Sequence, residues 1–167
     1  MQAEQKRFVE KRFSAREWRG HSQHGRRSIK GFSLEQWEVP GWKLQRVQHD
    51  HPAKQITVHS LWSHGGSTSE LLAVDVFECS SVEAAHDQVL EALGNMQSGV
   101  VERLDGKNTP GDVAFGLNDT MVLFARANLV VLIRNAGPSV VRVGEIARQL
   151  DRFLLRRLES KRTDKDR

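Results

Sequence analysis

What most constrains this chain is its hydrophobic period, which switches between two and 3.6 in a fixed order. Residues 42–49 alternate apolar with polar from Trp42 through Leu44 and Val47, and Ile56-Thr57-Val58-His59-Ser60-Leu61-Trp62 is rich in β-branched and aromatic residues. The spacing predicts an antiparallel hairpin turning at His51-Pro52-Ala53, then a third strand at 71–77 whose continuous apolar run suits an interior position. At Ser80 the period changes. Val82, Ala85, Val89, Leu93 and Met96 recur at helical intervals, Glu83 stands three residues after Ser80 as in a capping box, and Gly94 suits the position after a helix end. Four short strands follow at 100–104, 112–117, 121–127 and 129–134, and Val143, Ile146, Ala147, Leu150, Phe153, Leu154 and Leu158 then define one face of a terminal helix. The order βββ-α-ββββ-α lacks strand-helix alternation. It predicts an α+β fold, an antiparallel sheet of about seven strands with two packed helices and an open face.

Charge divides the chain differently. Residues 1–30 carry nine Lys or Arg against three Glu, residues 31–141 are acidic with a net of −6, and residues 142–167 are basic with a net of +4. The stretch from Ala3 to Trp18 lacks Gly and Pro, which favours helix, whereas 20–31 reads as an irregular linker. We therefore expect a basic helical arm and linker at 1–31, one α+β domain at 32–159, and a charged disordered tail at 160–167.

The overall balance of 25 basic and 21 acidic residues in 167 thus conceals an acidic body between two basic ends. Lys6, Arg7, Lys11, Arg12, Arg16, Arg19, Arg26 and Arg27, interleaved with Phe8, Phe13 and Trp18, form a candidate anion-binding segment. It would neutralise phosphates of nucleic acid or of an anionic lipid surface, with help from Arg148, Arg152, Arg156 and Arg157. The apolar run around 121–133 is interrupted by Arg126 and Asn128, and no stretch has the length of a transmembrane segment. The first ten residues lack the apolar core of an export signal. The chain as written reads as cytoplasmic, or extracytoplasmic if such a signal has been removed.

Catalytic signatures are weak. The lone Cys79 excludes an internal disulfide, and a thiolate at a helix start beside His86 is less economical than a buried Cys. The glycine-containing turns at His64-Gly65-Gly66-Ser67 and Thr109-Pro110-Gly111-Asp112 lack the phosphate-loop pattern and do not open helices. Histidines offer a metal alternative. His49 and His51 share a strand face by their spacing, and His59 or His64 would join them across the hairpin, although no established zinc spacing is present. Arg126 on a short apolar strand must either reach water or find an acid such as Asp112; its planar fork would otherwise receive a carboxylate or phosphate. Trp37, Trp42 and Trp62 mark a contact surface if they are exposed. With no cofactor motif and no nucleophile, base and orienter together, the expectation is a non-catalytic binding or accessory module. It would present a sheet face or edge to a protein or small ligand.

Overall fold

A computed structural model describes residues 3–30, 33–50, 56–96 and 98–163, with side chains through 156. Seven strands form one sheet: β1 (Trp42–Asp50), β2 (Ile56–His64), β3 (Leu71–Glu78), β4 (Glu102–Leu104), β5 (Val113–Leu117), β6 (Met121–Arg126) and β7 (Leu129–Asn135). Their spatial order is β1-β2-β3-β7-β6-β5-β4, and every pairing is antiparallel. Two meanders thus meet at the β3–β7 seam. Between them the chain crosses through α3 (Val82–Met96), while α4 (Gly144–Thr163) follows β7.

The α+β class and the element order are as the periodicity predicts; the layering is not an open sheet. Val58 and Trp62 of β2, Leu72, Val74 and Val76 of β3, Val122 and Phe124 of β6, and Val131 and Ile133 of β7 pack in one core. Ile146, Ala147, Leu150, Phe153 and Leu154 of α4 close it. The alternate residues Phe115, Leu123, Ala125 and Val130 form a second core with Ala85, Val89, Leu90 and Leu93 of α3. The helices therefore lie on opposite faces, because both faces of the β3–β7–β6–β5 region are apolar and each requires cover. On the α3 side that cover stops short. The second core contains no residue of β1 or β2.

The N-terminal segment is not a free arm. Helix α1 (Ala3–Arg12) and the short α2 (Ala15–Trp18) bury Val9, Phe13, Ala15 and Trp18 in the second core. Phe13 and Trp18 each meet Phe115 edge-on, with ring centroids 5.2 and 5.6 Å apart. Helix α3 also runs through Gly94 instead of ending there: Gly94 is buried, and Gln5 of α1 donates to its carbonyl at 2.9 Å. At the other end of α3 the capping hydroxyl is Ser81, accepting from the Ala84 amide, rather than Ser80.

After α2 the chain crosses the end of the sheet and continues into the first core. Ile29, Leu34, Trp37 and Val39 pack there, with a 3-10 turn at Leu34–Gln36. Polar side chains fasten this crossing. The Gly20 amide donates to His86 Nδ1 at 2.8 Å, Ser22 Oγ to Asp112 at 2.6 Å, and the Ile29 amide to Glu78 at 2.8 Å. Asn128 takes the Arg27 amide on its Oδ1 and donates Nδ2 to the Arg27 and Cys79 carbonyls. The folded body thus includes residues before 32. Its far end differs as well: α4 continues to Thr163, so residues 160–163 are helical, and residues 164–167 lie outside the described residues.

Asn128 is fully buried, so Asn128→Ala leaves three backbone groups without their partner. A loss of about 3 kcal/mol in urea unfolding is expected, together with faster hydrogen exchange at the Arg27 amide. His86 gives a pH signature. Burial lowers its pKa below the ordinary 6.5, outweighing the opposing charges of Asp112, Glu83 and Asp87, with His21 acting in the same direction as burial. The unfolded chain therefore binds the extra proton first, so stability should be full above about pH 6.5 and fall progressively below it. Melting curves from pH 8 to pH 5 should show this slope, and His86→Phe should reduce it.

Candidate functional site on the uncovered half of the sheet

Where the α3 core stops, at Phe77 of β3, and leaves β1 and β2 without cover, the period of two brings polar residues of four strands to one face. The register sets Gln48 opposite His59 and His59 opposite Asp75, while Arg134 of β7 lies diagonally from Asp75. Asp75 is the anchor. Its side chain is 10% exposed, and its two oxygens are divided: Oδ1 meets His59 Nδ1 at 2.8 Å and Oδ2 accepts from the Arg134 guanidinium at 3.3 Å. His59 Nε2 stands 3.6 Å from Asp50, and the ring meets the edge of Phe77. Along β1, Arg46 donates to Gln48 Oε1 at 2.9 Å and Gln48 Nε2 to Asp50 at 3.1 Å.

A polar row therefore runs from Arg46 at the edge to Arg134 over the sheet interior, hydrogen-bonded from Arg46 to Asp50 and from His59 to Arg134, with a 3.6 Å contact between Asp50 and His59 joining the two parts. Half-buried Leu61, Leu71, Phe77 and Leu132 flank it. The Asp75 contact holds one imidazole nitrogen, and the other lies 3.6 Å from Asp50; with Nδ1 donating to Asp75, Nε2 is an acceptor. Arg134 spends one nitrogen on Asp75 while its side chain is 50% exposed. Such a plate has donors and acceptors fixed in place and apolar surface beside them.

The residues singled out in the sequence have separate fates. Trp37 and Trp62 are 3% exposed and pack edge to face at 5.1 Å, with Trp62 Nε1 donating to Ser60, so they belong to the first core and offer no contact surface. Trp42 is half-buried beside His64, whose Nδ1 meets Glu70 at 2.9 Å. The histidines do not converge: His49 pairs with Val58 and shares its face, His64 shares the face of Trp62, and His59 points to the other side. His51 lies outside the described residues. Among the described residues no group of His, Cys, Asp and Glu is placed to hold a metal ion. Cys79 is buried, and its thiol donates to Gln88 Oε1.

Arg126 finds its acid, and a second one. Its Nε and one NH2 meet the two oxygens of Asp151 at 2.8 and 2.5 Å, and its other nitrogen meets Asp112 at 2.8 Å. Burial disfavours the charged guanidinium, but the bonds and charges of Asp151 and Asp112 outweigh it and hold the pKa above its ordinary value. The fork that sequence reasoning offers to a ligand is thus engaged inside the fold. Gly111 permits this arrangement. It has φ +76°, and a Cβ there would run into the Ala125 carbonyl oxygen, so only glycine lets the chain turn tightly enough to bring Asp112 over β6.

The basic residues also separate. Lys6 and Arg19 pair with Asp87, Arg19 also with Glu10, and Arg12 donates to the Gly99 and Val101 carbonyls and lies over the Phe13 ring. Arg27 is tied to Asn128 by its backbone, and Arg26 is exposed. Arg148 and Arg152 pair with Glu145 on α4, which packs on the face opposite α1, so the two basic elements do not share one surface. Among the described residues no helix is long and apolar enough to cross a membrane.

No family model matches this chain, and no curated protein or solved structure matches it significantly. Geometry alone carries the functional reading. The Asp75–His59–Arg134 group escapes sequence reasoning because it joins three strands whose register is set by tertiary pairing; the available signal is that His59 and Asp75 interrupt apolar strands. Asp151 has a similar signal, as an acid on the apolar side of α4. Replacing Arg126 by Met should cost about 3–5 kcal/mol in urea unfolding, since Asp112 and Asp151 would remain buried without their cation.

Proposed function

We propose that this protein is a non-catalytic binding module whose ligand-facing surface is the uncovered half of the sheet, centred on His59, Asp75 and Arg134. The observation that carries this reading is the division of Asp75. A nearly buried carboxylate is costly to desolvate, and apolar residues would fill a sheet position with less penalty. Here that cost fixes an imidazole and a guanidinium side by side beyond the part of the face that the second core covers among the described residues. Side chains held by such partners bind with less loss of rotamer freedom.

The chemistry favours a small ligand or peptide bearing a carboxylate or phosphate beside an apolar group. Arg134 retains N–H donors for the anion, Gln48 and His59 add polar contacts, and Leu61, Leu71 and Leu132 accept the apolar part. No nucleophile belongs to the row, which supports binding over turnover.

The test is an NMR titration of isotopically labelled full chain with acetate, inorganic phosphate and a mixture of short peptides with free C-termini. Binding should shift the His59 ring and Arg134 side-chain signals first. Arg134→Ala should weaken it at least tenfold; because it also takes the guanidinium from nearly buried Asp75, the melting temperature should fall while the chain still folds, and binding is compared at a temperature well below that transition. Shifts elsewhere with none at these residues, or undiminished binding by Arg134→Ala, would refute the assignment.

A further inference from the structure

Helices α1 and α2, separated by Ser14 in the left-handed conformation, line an open groove with a volume of about 850 Å³. Arg7, Glu10, Lys11, Arg16, Glu17 and Arg19 line it, with Ser14 and Ala15 at the bend. Its charges are unevenly satisfied. Glu10 is held by Arg19 at 3.1 Å, Glu17 by Arg103 at 2.8 Å, and Arg19 reaches Asp87 at 2.6 Å. Arg7, Lys11 and Arg16 are exposed, and their side chains make no ion pair or hydrogen bond among the described residues. Folding has therefore sorted the basic segment: Lys6, Arg12 and Arg19 fasten the helices to the body, and three cations remain directed at one groove.

Independently of the sheet-face reading, we propose that this groove binds the phosphodiester backbone of single-stranded nucleic acid, with Arg7, Lys11 and Arg16 as the phosphate contacts. Three observations favour that occupant. Arg7 and Lys11 are one helical turn apart, which sets their Cβ atoms about 6 Å from each other, close to the spacing of successive phosphates on an extended strand. The surface is a groove between two helices, suited to a narrow chain and poorly matched to a flat bilayer. Phe8, one turn before Lys11, is 66% exposed and is an aromatic face on which a base can stack. The apolar side of α1 is already spent on the second core through Val9, so this helix cannot turn it toward lipid.

The experiment is fluorescence anisotropy of a labelled mixed-sequence single-stranded 20-mer, titrated with the full chain at stepped salt concentrations. Three contacts predict a slope of log affinity against log salt of about −2. The variant R7E/K11E/R16E should lose at least tenfold in affinity at low salt, whereas R148E/R152E on the opposite face should stay within twofold. Because all three groove cations are exposed and unpaired, the triple variant should keep the wild-type melting temperature, and this is measured alongside. Phe8→Ala should weaken binding severalfold without changing the salt slope. No binding at low salt, equal losses from both charge reversals, or displacement of the strand by phosphatidylserine vesicles would each overturn the proposal.

Discussion

The structure depends on a sheet that needs cover on both faces in a chain whose two long helices can each cover only part of one. Residues 3–30 and 33–39 add to that cover on both faces around the end of the sheet, and the α3 side of β1 and β2 stays open. That crossing would leave backbone amides without partners inside the protein, which is expensive. Asn128, Glu78 and His86 provide acceptors for three of them, so a few polar side chains at one end of the sheet let the N-terminal segment complete both cores. The same end holds Ala127 at φ +51°, a conformation that costs a non-glycine residue about 1–2 kcal/mol. The Asp112 carboxylate, accepting from the Ala127 amide at 2.7 Å, helps hold it there.

Two buried acidic systems in this protein illustrate different uses of one chemistry. Asp112 and Asp151 enclose Arg126 on three nitrogens, and together with Ser22 they join β5, β6, α4 and the crossing segment. Asp75 has a histidine and an arginine as partners, but both partners extend into the uncovered region. The first system is closed by its own geometry. The second has surplus hydrogen-bonding capacity facing outward, which is why its residues, rather than the more deeply buried Arg126, form the binding surface we propose.

Periodicity made most of the fold legible. The strands and helices lie within a few residues of the positions set by alternation at 42–77 and by the Ile146, Leu150, Phe153 and Leu154 stripe, because local burial patterns decide element type. Layering was not legible in the same way. Val9, Phe13 and Trp18 form a thin stripe that resembles a solvated basic helix until Phe115, about a hundred residues away, supplies its partner. Likewise an acid for Arg126 could be anticipated from the cost of an unpaired buried charge. The pairing of His59 with Asp75 required the β2–β3 register, which short-range patterns do not contain. The uncovered half of the sheet is similarly a property of where α3 comes to rest.

The long span of the N-terminal contacts has a consequence for synthesis. Arg27 and Asn128, joined in the folded protein, are 101 residues apart in the chain. At about 5–20 residues per second on a ribosome, the first helix waits several seconds before its partners in β5 and β7 exist. During that interval Val9, Phe13 and Trp18 lack the β5 and β7 residues they pack against in the folded protein. Helices α1 and α2 therefore reach their native surroundings only after β5 and β7 have been made, however early their own residues are added to the chain.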